Sequence, residues 1–191
     1  MNYLDTDIRY CKGIGEKKAQ LFNKLGVINV RDLVSYFPRK YEDRSSFKPI
    51  ALTCDGETVC INALAAEDAR LVRIRRGLEL VKFRVVDESG SVDITFFNQP
   101  YIKNNIHRGD SLNIYGKIIG VGGKRTMTNP VIEREGTVGG VTGRIVPVYR
   151  LTTGLSQKLV MSAVRQALDA SAADLPEVLP ESLRKKYKLS Q

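Results

Sequence analysis

"SVDITFFNQPYIKNNIHRGD", residues 91–110, decides the fold. Its first seven residues alternate, which puts Val92, Ile94 and Phe96 on one face of a strand and Ser91, Asp93, Thr95 and Phe97 on the other. The next stretch, "NQPYIKNNIHRGD", is long enough for a short helix, with Pro100 suited to a first helical turn. Working outward, "ETVCINALAAEDARLVRI" (57–74) and "LELVKFRVVD" (78–87) precede it as strands. "SLNIYGKII" (111–119) and "RTMTNPVIE" (125–133) follow it. The turn signals "RRG", "DESG", "HRGD" and "GVGGK" lie between them. Five strands with a helix only between the third and the fourth is the layout of the OB-fold, a small barrel that often binds single strands or oligosaccharides.

Helical patterns flank this region. In "KGIGEKKAQLFNKLGV" (12–27), Ala19, Phe22 and Leu25 share one helical face and Gly26 supplies a stop. "NVRDLVSYF" (29–37) gives a second helix with Val30, Leu33, Val34 and Phe37 on one face, closed by Pro38. After "GTVGGVTG" (136–143), a linker by composition, Ser156 is placed to cap a helix whose apolar face carries Leu159, Val160, Ala163, Val164 and Leu168. A basic helix starts at Pro180 and leads toward a further linker, so the chain reads as a piece of a longer protein. The expected class is α+β, mostly β, with an OB-fold barrel over 49–140. A helix-hairpin-helix-like region fills 1–48, and a linker with helices fills 141–191.

Hydrophobic residues make up 42% and charged residues 27% of the 191, an ordinary globular composition that excludes a disordered tail. No run reaches the roughly 18 apolar residues of a membrane helix, and the start "MNYLDTDIRY" lacks a signal-peptide pattern, so a cytoplasmic protein is expected. Cys11, Cys54 and Cys60, odd in number and irregularly spaced, with the single His107, cannot assemble a zinc site and read as reduced, mostly buried thiols. The net charge of +9 favours an acidic partner. Residues 51–140 are nearly neutral, with 12 basic against 11 acidic side chains, and hold their positive charge locally in "RLVRIRRG" (70–77).

Three constellations carry chemistry. Phe97, with polar neighbours on its face, is expected to leave the barrel while Phe96 fills it, and Tyr101 follows on the same rim. Two such rings can each take the face of a base; the alternative is that Phe97 packs under the N-terminal helices. The hairpin 70–85 holds Arg73, Arg75 and Arg76 near its tip and Lys82 and Arg84 on its return strand. Alternation places Arg73 and Arg75 on one face, opposite Val72 and Ile74. A basic ribbon can follow a phosphate backbone; a solvated hairpin that keeps a sheet edge from aggregating is the alternative. Gly13 and Gly15 let the backbone turn tightly ahead of a helix whose free amides, with Lys17 and Lys18, suit a phosphate. A tight turn that merely packs is equally open.

Catalytic signals are poor. "GVGGKRT" has neither the glycine spacing nor the Ser or Thr after lysine that a phosphate loop needs. Asp87, Glu88 and Asp93 surround a turn, where acidic residues are common for local reasons, so a metal-dependent nuclease is disfavoured.

In their order along the chain, "KGIGEKKAQLFNKLGV", "YFPRKYEDRS", "FFNQPY", "GKIIGVGGKRTMTNP", "IVPVYRLTTGLSQK" and "LPESLRKKYKL" resemble the N-terminal part of RecG, the bacterial ATP-dependent DNA helicase family that remodels stalled replication forks. The resemblance implies an OB-type wedge that holds branched DNA, such as forks and Holliday junctions, while a two-lobed motor in the same polypeptide pulls duplex past it. It places Phe97 and Tyr101 where an aromatic pair stacks on bases as the parental strands part. The motor, with its ATP and Mg, has no counterpart in this sequence, so the chain is expected to bind rather than catalyse, without a cofactor and as a monomer. The rival function is an OB module that docks on single-strand-binding protein or on a motor lobe.

Overall fold

A computed structural model of the chain describes residues 3–121, 123–172, 175 and 179–188. Gly122, in the middle of the "GVGGK" turn, lies outside the described residues. The fold is α+β and mostly β. It separates into two compact units, one of Met1–Lys40 with Pro147–Gln191 and one of Tyr41–Val146.

The first unit begins with 3-10 turns at Tyr3–Asp5 and Ile8–Tyr10, followed by helices α1 (Glu16–Asn23) and α2 (Val30–Val34). Helices α3 (Gln157–Ser171) and α4 (Glu181–Tyr187) complete it. Leu4, Ile8, Ile14, Phe22, Val30 and Leu33 share one core with Tyr149, Val160, Ala163, Val164 and Ala167. The two chain ends therefore fold together, because neither helical segment can cover its own apolar stripe. Asn29 and Asp32 form a capping box at α2, and the Ser156 hydroxyl accepts the Leu159 amide at the start of α3. Two expectations fail here. Phe37 is 81% exposed, because α2 stops at Val34 and the chain turns before reaching it. On α3 the buried place expected for Leu168 belongs to Ala167, and Leu168 faces outward. No residue of α4 is buried.

The second unit is built on one sheet: β2 (Thr58–Ala65), β3 (Arg70–Arg75), β4 (Leu78–Val86), β5 (Ser91–Phe97), β6 (Ser111–Lys117), β7 (Ile119–Val121), β8 (Lys124–Thr128) and β9 (Val131–Arg134). The order is β7-β8-β5-β4-β2-β6-β9, with β3 on β4. Two short strands, β1 (Lys40–Asp43) and β10 (Ile145–Val148), pair separately and carry too little alternation to be legible in sequence. The expected first strand is two: β2 pairs β6 along its length and β4 only at Leu64 and Ala65, and after a turn β3 takes over the other half of β4.

The expected OB-type class holds, with the hydrogen-bonded ladder open between β8 and β9. These are one run of chain interrupted at Asn129 and Pro130, where Asn129 has a positive φ of 45° and Pro130 has no amide to donate. β8 pairs with β5 in parallel and β9 with β6 antiparallel, so the sheet curls until its two sides meet within two residues. Inward residues Ile61, Val81, Phe83, Val85, Ile94, Leu112, Ile114 and Met127 fill the inside, and the Phe83 and Phe96 rings stack at 6.5 Å.

The turn after β4 is tied down by Asp87. Its carboxylate accepts the amides of Ile50, Ser89 and Gly90 and the Ser89 hydroxyl. Burial alone would raise its pKa, but these bonds together hold it below the usual carboxylate value. The segment 136–143, a loose linker by composition, is held too: Glu133 accepts the amides of Val141 and Thr142 and the Thr142 hydroxyl. Cys60 is buried, which pushes its thiol pKa up, and Cys11 is half-buried; Cys54 is exposed, contrary to expectation. No helix among the described residues is long and apolar enough to cross a membrane.

Candidate nucleic-acid interface

At the end of β5, strand alternation sends two neighbouring rings to opposite faces. Phe96 is 4% exposed and Phe97 41%. The register pairs Phe97 with Leu80 and Phe96 with Val81, so Phe97 stands on the outer face. Beyond it, Asn98 adopts a positive φ of 53°, its amide donates to the Glu79 carbonyl, and its side-chain oxygen accepts the Glu79 amide. The chain then enters a 3-10 turn, Pro100–Asn104, that presents Tyr101 62% exposed.

The hairpin of β3 and β4 departs from simple alternation. Arg73 pairs with Glu79 and Arg75 with Leu78, so Ile74 is a bulge. Directly opposed residues share a face, which puts Arg75 with Leu78, Leu80, Lys82 and Arg84 on the face of Phe97. Arg73 falls on the other face and forms an ion pair with Glu79 at 2.9 Å. The expectation that Arg73 and Arg75 share a face is thus overturned by one extra residue. Val72 and Ile74, expected opposite the arginines, are both exposed.

Charge on this face is partly neutralised. Arg84 is held by Asp93 at 2.7 Å, while Arg75, Arg76 and Lys82 have no carboxylate partner among the described residues. A cleft of about 640 Å³ opens beside the hairpin tip, lined by Arg73, Ile74, Arg75, Arg76, Gly77, Glu79, Asn98 and Pro100. The basic tip therefore shares one depression with Asn98 and Pro100, the chain neighbours of Phe97 and Tyr101, although about twenty residues of chain separate them.

Gly13, Gly15, Lys17 and Lys18 lie in the other unit. Gly13 has a positive φ of 84° and turns the chain into α1, and Ile14 is buried. The element before the turn is a 3-10 turn, so the region is only half of a helix-hairpin-helix. The Lys18 ammonium folds back onto the Gly13 carbonyl at 2.8 Å, and Glu16 occupies the first turn of α1. Lys17 is exposed and has no hydrogen-bond or carboxylate partner among the described residues.

Three carboxamides escaped the sequence reading: Asn98, Gln99 and Asn129. Asn129 Oδ1 accepts the Phe97 amide at 2.9 Å and the Gln99 side chain at 3.4 Å, and Gln99 Oε1 accepts the Tyr101 hydroxyl at 2.7 Å. The Asn-Pro pair at 129–130 stands inside a stretch that the sequence presents as one strand, and nothing local says that it meets residues 97–99.

A family model described as the RecG wedge domain matches residues 7–170. The ATP-dependent DNA helicase RecG of Streptococcus pneumoniae is 32% identical over 187 residues, covering 97% of this chain and 27% of that protein. The same helicase from Thermotoga maritima is 29% identical over 193 residues, covering 97% and 24%. A solved structure of RecG bound to a three-way DNA junction superposes with a TM-score of 0.84 at 28% identity, covering 97% of this chain and 25% of that one. The chain thus spans about a quarter of the length of the curated relatives that it matches. By the match over residues 7–170, the chain belongs to the RecG wedge domain family.

Proposed function

We propose that this chain is the DNA-gripping wedge of a helicase of the RecG type. The outer face of β3, β4 and β5 binds branched DNA, such as a stalled fork or a Holliday junction. Phe97 and Tyr101 cover the last base pair as its strands separate, and Arg75, Arg76 and Lys82 hold the adjoining backbone. The observation that carries this reading is Phe97 itself, a large ring left exposed on the face that also bears unpaired cations. Stacking needs an accessible ring, and backbone contact needs positive charge not already matched by a carboxylate. The relative bound to a three-way junction supports the choice of branched DNA.

In this reading the chain supplies no chemical step. Motor domains in the same polypeptide, using ATP and Mg, would pull duplex while the rings block re-pairing, in DNA repair and recombination. The turn at Gly13 and Gly15 with Lys17 would add a backbone contact. Fluorescence titration of a labelled three-way junction against linear duplex tests the reading, with Phe97→Ala and Tyr101→Ala as variants. Preference for the junction that both variants lose supports it; equal binding of both DNAs, unchanged by either variant, refutes it.

A rival reading draws on a different surface of the same unit. A groove of about 790 Å³ lined by Phe47, Pro49, Leu64, Val86 and Glu88 offers apolar area to a protein such as single-strand-binding protein. Leu64→Glu would abolish that docking and leave junction binding intact.

A further inference from the structure

We propose that Gln99 is a positioning residue that ties Tyr101 to the fixed end of β5 and so presents its ring ready to stack; this rests on the branched-DNA reading above. Asn129 is the anchor. It sits where the chain stops pairing with β5 and begins to pair with β6. Its amide donates to the Thr95 carbonyl at 2.9 Å, and its side chain accepts the Phe97 amide at 2.9 Å. It thereby brackets the last residues of β5 and carries on the ladder that the backbone abandons at Pro130.

Gln99 extends this anchor outward. Its Nε2 donates to Asn129 Oδ1 at 3.4 Å, and its Oε1 accepts the Tyr101 hydroxyl at 2.7 Å. One carboxamide thus faces an acceptor held by the sheet on one side and an exposed donor on the other. Tyr101 needs the tie: it stands on a five-residue 3-10 turn with most of its surface exposed, where a free ring would sample several rotamers. A ring ordered beforehand loses less freedom on binding. The tie also commits the hydroxyl proton to Gln99, so Tyr101 meets DNA through its ring face and not as a donor to phosphate.

The test is a double-mutant cycle on a three-way junction carrying 2-aminopurine at the branch, read by affinity and by quenching of the probe on stacking. Gln99→Met keeps the side chain's length and removes both polar ends; Tyr101→Phe keeps the ring and removes the donor. Each single variant is expected to weaken binding about fivefold, the worth of one modest hydrogen bond, and to reduce quenching. The double variant is expected to be no worse than either single, because both cut the same tie. Melting temperature and salt slope stay at wild-type values, which a general loss of structure would not allow. Losses that multiply in the double variant overturn the inference, as does wild-type binding by Gln99→Met while Phe97→Ala weakens it. If Phe97→Ala and Tyr101→Ala both bind normally, the DNA reading itself fails, and the tie between Gln99 and Tyr101 has no ring to present.

Discussion

Gly116 lies against Pro130: a Cβ on Gly116 would stand 2.9 Å from the Pro130 Cβ and 3.2 Å from the Met127 sulfur. This is where β6 passes over the break between β8 and β9, the point at which the sheet curls back on itself. The close approach leaves no room for a methyl group, and Pro130 cannot retreat without moving the Asn129 anchor. Gly116→Ala is expected to destabilise the protein by about 1–3 kcal/mol, the usual cost of overpacking. Urea unfolding measures it; wild-type stability would mean that the strand crossing is loose.

Phe97→Ala separates an exposed ring from a core one. A ring on the outer face is expected to cost less than about 1 kcal/mol of folding, yet about 1–3 kcal/mol of junction affinity. A melting curve and a titration on the same sample read both. A variant that melts early and binds normally would mean that the ring serves packing.

The bulge at Ile74 makes two neighbouring arginines unequal. Arg75→Ala is expected to flatten the dependence of log affinity on log salt by about 0.9 for each phosphate that is no longer neutralised. Arg73→Ala, which removes a residue already paired with Glu79 on the other face, is expected to leave that slope nearly unchanged. Equal effects would show that the bulge does not persist when DNA binds.

Asp87 predicts an acid limit. Hydrogen bonds from Ile50, Ser89 and Gly90 hold its folded pKa below the ordinary value of 3.8. A carboxylate depressed in the folded state adds stability above its unfolded pKa and loses it as pH falls through the folded value. Asp87→Asn is therefore expected to lower the melting temperature at neutral pH, with a gap to wild type that narrows below about pH 4. A gap independent of pH would assign the effect to geometry and not to charge.

Ser156→Ala removes the hydroxyl that accepts the Leu159 amide at the head of α3. A loss of about 1 kcal/mol in the unfolding of the first unit is expected. A larger loss would mean that α3 depends on its first turn to reach the shared core.

Much of the framework was local and so could be read without coordinates. Alternation in 91–97 places Phe96 inside and Phe97 outside, because successive strand residues point to opposite faces. The cap at Ser156 and the stop at Gly26, which has a positive φ, act within one or two turns of chain. The expected helix face failed where an element ended early, as at Phe37, or where a neighbour decided which side is covered, as at Leu168. The expected pairing of Arg73 with Arg75 failed because a bulge is a property of two strands in register, and one strand's pattern cannot reveal it.

The interface shows the same division. The residue types that suit it, two rings and a cluster of arginines, stand in the amino-acid order for local reasons of strand and turn. Which arginine faces the rings was settled by strand register. What holds the Phe97 backbone amide is Asn129, a residue 32 positions away brought to it by the parallel pairing of β5 and β8. Local chemistry reaches a few residues along the chain, whereas these choices depend on contacts that exist only after the sheet has curled around its core.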